Sequence, residues 1–336
     1  MPPHPETWLV PTPSGLYCVP GNFYVDPSCS VDRAVITHGH ADHARPNHAH
    51  VLATPETLAI MSVRMGVERA GTTQQALSYR RPLLINDVRV TLVPAGHVLG
   101  SAQILMEYQA GRAVVSGDYK RQPDPTCAPF EPVTCDVFVT EATFGLPVFR
   151  HPEVGAELRR LLASLALFPD RTHIVGAYSL GKCQRIIAEL RALGYAAPVY
   201  LHGAPMAVCQ TYQALGVALG DIRAASCAEK AALKGAVVLA PPSAMKDRWA
   251  RRFEDPVVAY ASGWMRIRQR AKAGGVELPL IISDHADWDA LLSTIQDTQA
   301  PEIWVTHGAE EALIYAATML QIRARALSLT GYGEEE

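Results

Sequence analysis

The chain is expected to fold as an α/β protein, and two observations predict that class. Short apolar runs recur along it, each followed at once by an acid or a histidine, as when a ligand site is assembled at the carboxyl ends of strands. Between them lies a stretch of different texture, in which strand-like and helix-like segments alternate as in a separate, smaller α/β unit. With 336 residues the chain is long enough for two domains and a substantial core.

The first run, Ala34-Val35-Ile36, reads as a strand that leads through Thr37 into His38, His40, Asp42 and His43. Three imidazoles and one carboxylate within six positions are more donors than a single tetrahedral ion accommodates, so two metals are expected. Further runs follow the same rule. Val90 to Val93 leads to His97, Ala113 to Val115 leads to Asp118, and Val137 to Thr140 leads to Glu141. Near the other end, Leu280 to Ile282 leads to Ser283, Asp284 and His285, and Ile303 to Val305 leads to Thr306 and His307. Residues so far apart can meet only through tertiary folding.

In the middle, residues 172–177 read as a strand and residues 181–193 as a helix with Ile186, Ile187, Leu190 and Leu193 on one face. Val199 to Leu201 reads as another strand, a second helix is expected from about Pro205 to Leu215, and Ala236 to Ala240 forms a further apolar run. This unit is expected to be inserted between about Leu146 and Ile282. The expected division is therefore 1–145 with 283–336 as one domain and 146–282 as the other.

Composition narrows the function. The even mix of apolar and polar residues suits a globular protein. Seven cysteines without a Cys-x-x-Cys pair indicate neither a disulfide framework nor a thiolate zinc site. A net charge of −3 argues against a generally basic nucleic-acid binder, although a local groove can still be positive. No apolar stretch reaches membrane-spanning length and the Met-Pro-Pro-His-Pro-Glu start lacks a secretory pattern, so a cytoplasmic protein without membrane attachment is expected. An acidic tail, Glu334 to Glu336, closes the sequence.

Taken as an ordered set, these residues resemble the metallo-β-lactamase-fold hydrolases of the β-CASP nuclease group. Asp26 matches the first motif, His38 to His43 the second, His97 the third and Asp118 the fourth. Glu141, His285 and His307 match the three motifs particular to β-CASP nucleases. The resemblance spans nearly the whole chain and is greatest to bacterial DNA ligase-associated exonucleases, relatives of the DNA cross-link repair nucleases and of the mRNA 3′-end processing endonuclease. It implies a metallo-β-lactamase αββα sandwich interrupted by an α/β β-CASP cap domain.

The resemblance also implies roles. His38, His40 and His97 would hold one zinc, Asp42, His43 and His307 the other, and Asp118 would bridge them; manganese is an alternative ion. Imidazoles and carboxylates suit zinc at about 2.0–2.2 Å, and two ions about 3.5–4 Å apart suit phosphodiester hydrolysis. His285 is the expected general acid, oriented by Glu141, whose carboxylate would favour the protonated imidazole. Asp26 is expected to act from behind the ligands, and Asp42 is counted with the catalytic group as well as with the ligands. DNA is the expected substrate, and an ATP-dependent DNA ligase and a helicase are the implied partners.

Weaker signals are also present. Gly176 to Cys183 nearly matches a phosphate-binding loop, but Cys183 stands where a Ser or Thr would contact magnesium, so ATP is not expected. Exposed amides at that helix start, with Lys182, could hold a substrate phosphate; a structural turn is the competing reading. Lys246, Arg248, Arg251 and Arg252, followed by Arg266, Arg268, Arg270 and Lys272, could track a nucleic-acid backbone, with Trp264 as a stacking aromatic. A solvated charged face and a core tryptophan are the corresponding bland readings. His48, His50, His151, His173 and His202 are expected to be surface or structural, and Ser101 and Gln103 are assigned no role. Histidine at 307 departs from cross-link repair relatives and is shared with RNA-processing ones, which makes an RNA nuclease the alternative. A small-thioester or lactam hydrolase and a non-catalytic nucleic-acid-binding scaffold rank lower.

Overall fold

The structure is a computed structural model that describes residues 3–327; the acidic tail lies outside the described residues. It divides into two units. The first comprises Met1–Pro123, Cys127–Phe149 and His285–Glu336, and the second Asp124–Thr126 with Arg150–Asp284.

In the first unit, a six-stranded sheet is ordered Leu9–Thr12, Gly15–Cys18, Phe23–Val25, Arg33–Val35, His50–Ala53, Thr73–Ala76. A seven-stranded sheet runs Arg323–Ala326, Glu302–Gly308, Val137–Ala142, Gly111–Val115, Ala102–Tyr108, Val88–Pro94, Pro82–Ile85. One apolar cluster joins Leu16, Phe23, Val25, Val35 and Leu52 of the first sheet to Val90, Ile104, Met106, Val139 and Trp304 of the second. The opposite face of the first sheet packs Ala34, Ile36 and Val51 against Leu58 and Met61 of helix Pro55–Met65. Phe138, Ile303 and Val305 on the outer face of the second meet Leu291 and Ile295 of helix Trp288–Asp297 and Leu313 of helix Glu310–Met319. Four layers result, helix, sheet, sheet and helix. Strand Val137–Ala142, covered on both faces, is buried at every position, whereas edge strand Thr73–Ala76 is exposed throughout.

The second unit contains a six-stranded sheet ordered Ile222–Ala224, Val199–Leu201, Val237–Ala240, His173–Gly176, Val257–Ala261, Leu278–Leu280, with every pairing parallel. The α/β class holds. The strand expected at 172–177 spans His173–Gly176, and the helix expected at 181–193 spans Lys182–Ala192. The next helix begins at Gly203 rather than Pro205, because the His202 side chain accepts the Ala204 N–H and caps the turn earlier. Among the described residues no helix is long and apolar enough to cross a membrane.

Candidate metal centre

The cluster from His38 to His43 follows strand Arg33–Val35 and is framed by its neighbours on both sides. Asp26, at the end of strand Phe23–Val25, takes the left-handed conformation at φ 41°. Its Oδ1 accepts the Thr37 N–H at 2.7 Å and its Oδ2 accepts the Thr37 hydroxyl. The same Oδ2 lies 2.8 Å from His43 Nδ1. That contact settles which His43 nitrogen is left to face the centre: Nε2 lies 3.5 Å from Asp118 and 3.6 Å from Asp42.

His97 arrives from the loop after strand Val88–Pro94, which is pinned at three points. The Ser101 hydroxyl oxygen accepts the N–H groups of His97 and Val98, and the buried Lys120 ammonium donates to the His97 carbonyl at 3.1 Å. Thr54, the cap of helix Pro55–Met65, donates to the Gly100 carbonyl at 2.7 Å. Asp118 follows strand Gly111–Val115 after Gly117, whose φ of 55° and approach to Thr37 leave no room for a side chain; a Cβ there would lie 2.7 Å from the Thr37 side chain. His307 sits at the end of strand Glu302–Gly308 with φ 59°, beyond an irregularity in the pairing at Glu141 and Ala142. Left-handed backbone at Asp26 and His307, both non-glycine, is strain of the kind that collects at functional sites.

The donor atoms converge. His38 Nε2 lies 3.1 Å from His40 Nδ1, which lies 3.0 Å from His97 Nε2. Asp118 Oδ2 is 3.4 Å from His38 Nε2 and 3.7 Å from His97 Nε2. Donors about 2.0–2.2 Å from a tetrahedral ion stand about 3.3–3.6 Å apart, and the 3.0–3.7 Å separations among His38, His40, His97 and Asp118 bracket that spacing, so the four could hold one ion with small adjustments. A second group combines His43, Asp118 and His307, with Asp42 beside His43. Asp42 Oδ1 is buried without a hydrogen-bond partner among the described residues, an acceptor suited to a cation.

Protonation suits the same ligands. Burial, with the charge of His43, lowers His38 and His307 to about 4, and burial drives His97 well below its ordinary value. Burial opposes the charging of Asp118, yet His43 and His285 hold its carboxyl well below the usual carboxylate range. His43 goes the other way, rising to about 10 against burial because Asp118, Asp42 and Asp26 surround it. His38, His97 and His307, held neutral beside the ionised Asp118, are ready to bind a divalent cation, whereas His43 would have to release its proton on binding one.

Beside this group, His285 Nδ1 lies 2.8 Å from Glu141 Oε2, while Glu141 Oε1 accepts the Tyr119 N–H at 2.8 Å. The His285 ring is 4.8 Å from that of His97 and 6.1 Å from that of Phe144. With 23% of its side chain exposed, His285 can reach both the centre and an incoming ligand.

The second unit places its residues differently. Lys182 is buried, its ammonium 3.9 Å from Asp284 and 4.6 Å above the Tyr178 ring, and so is not presented as a surface phosphate contact. The amides of the phosphate-loop-like turn are occupied internally: Gly181 donates to the Gln184 side chain, Lys182 to Leu180 and Cys183 to Tyr178. The structure therefore favours the structural turn. Lys246, Arg248, Arg251, Arg252, Arg266, Arg268, Arg270 and Lys272 are exposed, and Trp264 is half-buried with the Arg270 guanidinium 4.2 Å over its ring. Gln103 donates to the Pro94 and Glu131 carbonyls, and His48 and His173 are interior histidines. Sequence reasoning saw Thr37 only as the residue leading into the histidine cluster and did not single out Lys120; contacts distant in the chain reveal what each holds.

Fold and site together define a mixed α/β protein with a candidate metal centre. No family model matches the chain. It is 27% identical, over 98% of its length, to a protein named "Probable DNA ligase" from Opitutus terrae, of which it covers 31%. It is also 30% identical to "Endoribonuclease YSH1" of Gibberella zeae over 57% of this chain and 25% of that one. The namesake from Saccharomyces cerevisiae is 28% identical over 55% of this chain and 28% of that one. The chain thus spans less than a third of each of these relatives. A crystal structure of a protein of unknown function from Enterococcus faecalis V583 shares the fold, with a TM-score of 0.57, 13% identity and coverage of 90% of this chain and 80% of that one. The chain is thus similar both to a protein named as a DNA ligase and to proteins named as endoribonucleases.

Proposed function

We propose that this chain is a two-zinc phosphodiesterase that degrades DNA as an exonuclease, in repair alongside a DNA ligase. In this reading the metallo-β-lactamase sandwich is formed by 1–145 with 283–336, and 146–282 is the inserted β-CASP cap. The observation that carries the reading is the convergence of His38, His40, His43, His97, Asp118 and His307 beside the His285 and Glu141 pair. Manganese would fit the same nitrogen and oxygen donors.

Bound there, two divalent ions would supply activated water and neutralise charge developing on the phosphoryl oxygens. The protein does the rest. Asp26 fixes the His43 ring and Thr37, Asp42 and Asp118 contribute oxygen donors, and the Ser101 and Lys120 contacts hold the His97 loop still. Glu141, itself fixed by the Tyr119 amide, holds His285 Nδ1, so that Nε2 delivers a proton to the leaving oxygen. The exposed arginines and lysines of 246–272 attract the phosphate backbone.

The relation to the "Probable DNA ligase" over 98% of the chain supports DNA and a ligase partner, to which a helicase would be a further associate. The endoribonuclease relatives favour RNA as the second reading. End-labelled single- and double-stranded DNA and RNA, incubated with zinc- or manganese-loaded protein, separate the two. Shortening of DNA from one end is the expected result; degradation of RNA with DNA left whole would replace the first reading by the second.

A further inference from the structure

Arg185 is among the largest fully buried side chains of the molecule, at 1% exposure, and no motif includes it. It projects from helix Lys182–Ala192 into a cluster of charges that lies within the second unit. Its Nη1 donates to the Ser283 carbonyl at 2.7 Å and lies 3.4 Å from Asp284 Oδ1, while its Nε lies 3.5 Å from Asp124 Oδ2. Lys182, nearly one turn earlier, places its ammonium 3.9 Å from the other Asp284 oxygen.

Removing these ions from water is costly, and well-packed apolar side chains would serve stability about as well. A buried network of this kind is better suited to holding one backbone conformation than to raising stability. The backbone it holds is Ser283 and Asp284, and the next residue is His285. On the far side of His285 the chain is fixed again. The Ala286 N–H donates to the Tyr119 carbonyl at 2.6 Å, and Asp287 caps helix Trp288–Asp297 by accepting the Ala290 N–H at 2.9 Å. His285 is the single residue between two anchored stretches of backbone.

We propose that Arg185, assisted by Lys182, is a positioning residue for His285, directing its imidazole by holding the Ser283–Asp284 backbone. The proposal rests on His285 being the acid that protonates the leaving group. A guanidinium can reach a carbonyl and two carboxylates at once, whereas an ammonium is a point donor, so lysine at 185 would reproduce only part of the grip.

The test uses the full-length, metal-loaded protein on whichever end-labelled nucleic acid it cleaves. Rates are compared for the unaltered protein, Arg185→Met, Arg185→Lys, His285→Ala and the His285→Ala, Arg185→Met double variant. Arg185→Met is expected to lower kcat on the order of 10- to 100-fold with KM changed less than about twofold, because a small misplacement of a reacting group is costly. Metal content should be unaltered, and Arg185→Lys should recover part of the rate. In the His285→Ala background, Arg185→Met should slow cleavage no further, since its effect runs through the missing imidazole. An equal loss in both backgrounds, or an unchanged kcat in Arg185→Met, overturns the proposal. Should Arg185→Met fail to fold, Arg185→Lys and Asp284→Asn are put through the same two-background comparison under the same criterion. Failure of the underlying reading looks different: His285→Ala would then cleave as fast as the unaltered protein, and the proposal would fall with it.

Discussion

The two units bury charge for different ends. In the first, four imidazoles of the centre, from His38, His40, His43 and His97, are buried with Asp26 and Asp118 as a set of bases around a common point. In the second, the buried cations of Arg185 and Lys182 face the carboxylates of Asp284 and Asp124, and the cations of 246–272 stay at the surface. Buried donors that converge on one point are complementary to a metal ion, whereas buried ions paired with opposite charges compensate one another's loss of water. Exposed cations act on a polyanion over a Debye length and weaken with salt. The same residue types therefore serve chemistry, conformation or attraction according to burial and partners.

Asp118→Ala puts most at risk in this contrast, because Asp118 faces both donor groups. Bound metal, counted by elemental analysis, should fall below two ions per chain, and hydrolysis should drop about 1,000-fold or more. Retention of both ions and of activity would make the buried cluster no different in kind from the network around Arg185. His285→Ala sharpens the contrast from the other side. Metal should stay while cleavage slows about 100- to 10,000-fold, and loss of an ion would move His285 into the ligand set.

A smaller effect is expected for Asp26→Ala, which leaves every donor in place but frees the His43 ring and the Thr37 amide and hydroxyl. Chelator competition should show metal affinity reduced about 10- to 100-fold; an unchanged affinity would mean that the Asp26 carboxylate does not orient His43. Least of all, replacing Arg251 and Arg252 by alanine should flatten the dependence of log binding constant on log salt by about 0.7–0.9 for each phosphate no longer neutralised. Metal content should not change. An unaltered slope would return these two residues to the solvated face of the second unit.

Much of the site is legible in the sequence because each donor follows an apolar run long enough to read as a strand, and sheets gather strand ends. Strand Arg33–Val35 before His38 and strand Glu302–Gly308 before His307 are examples. Helix Lys182–Ala192 is likewise visible from its apolar face. Lys182 is not placed correctly by the same reasoning. Its motif suggests a phosphate contact, but the charge it meets belongs to Asp284, a partner that no local pattern announces. What Thr37 holds goes unread for a similar reason, since its hydroxyl matters only once Asp26 is folded against it.

By itself, then, the order of motifs along this chain determined the class of fold, the residues able to ligate metal and the expectation of two ions, because donor identity is covalent. Only tertiary structure decided which nitrogen of His43 faces the centre, that Ser101 and Lys120 brace the His97 loop, and that Arg185 is buried beside the residues preceding His285. Those are properties of neighbours brought together by packing. A hydrogen bond orients a ring or hides a charge only after distant segments meet, and the energy that makes them meet is the burial of apolar surface throughout both units.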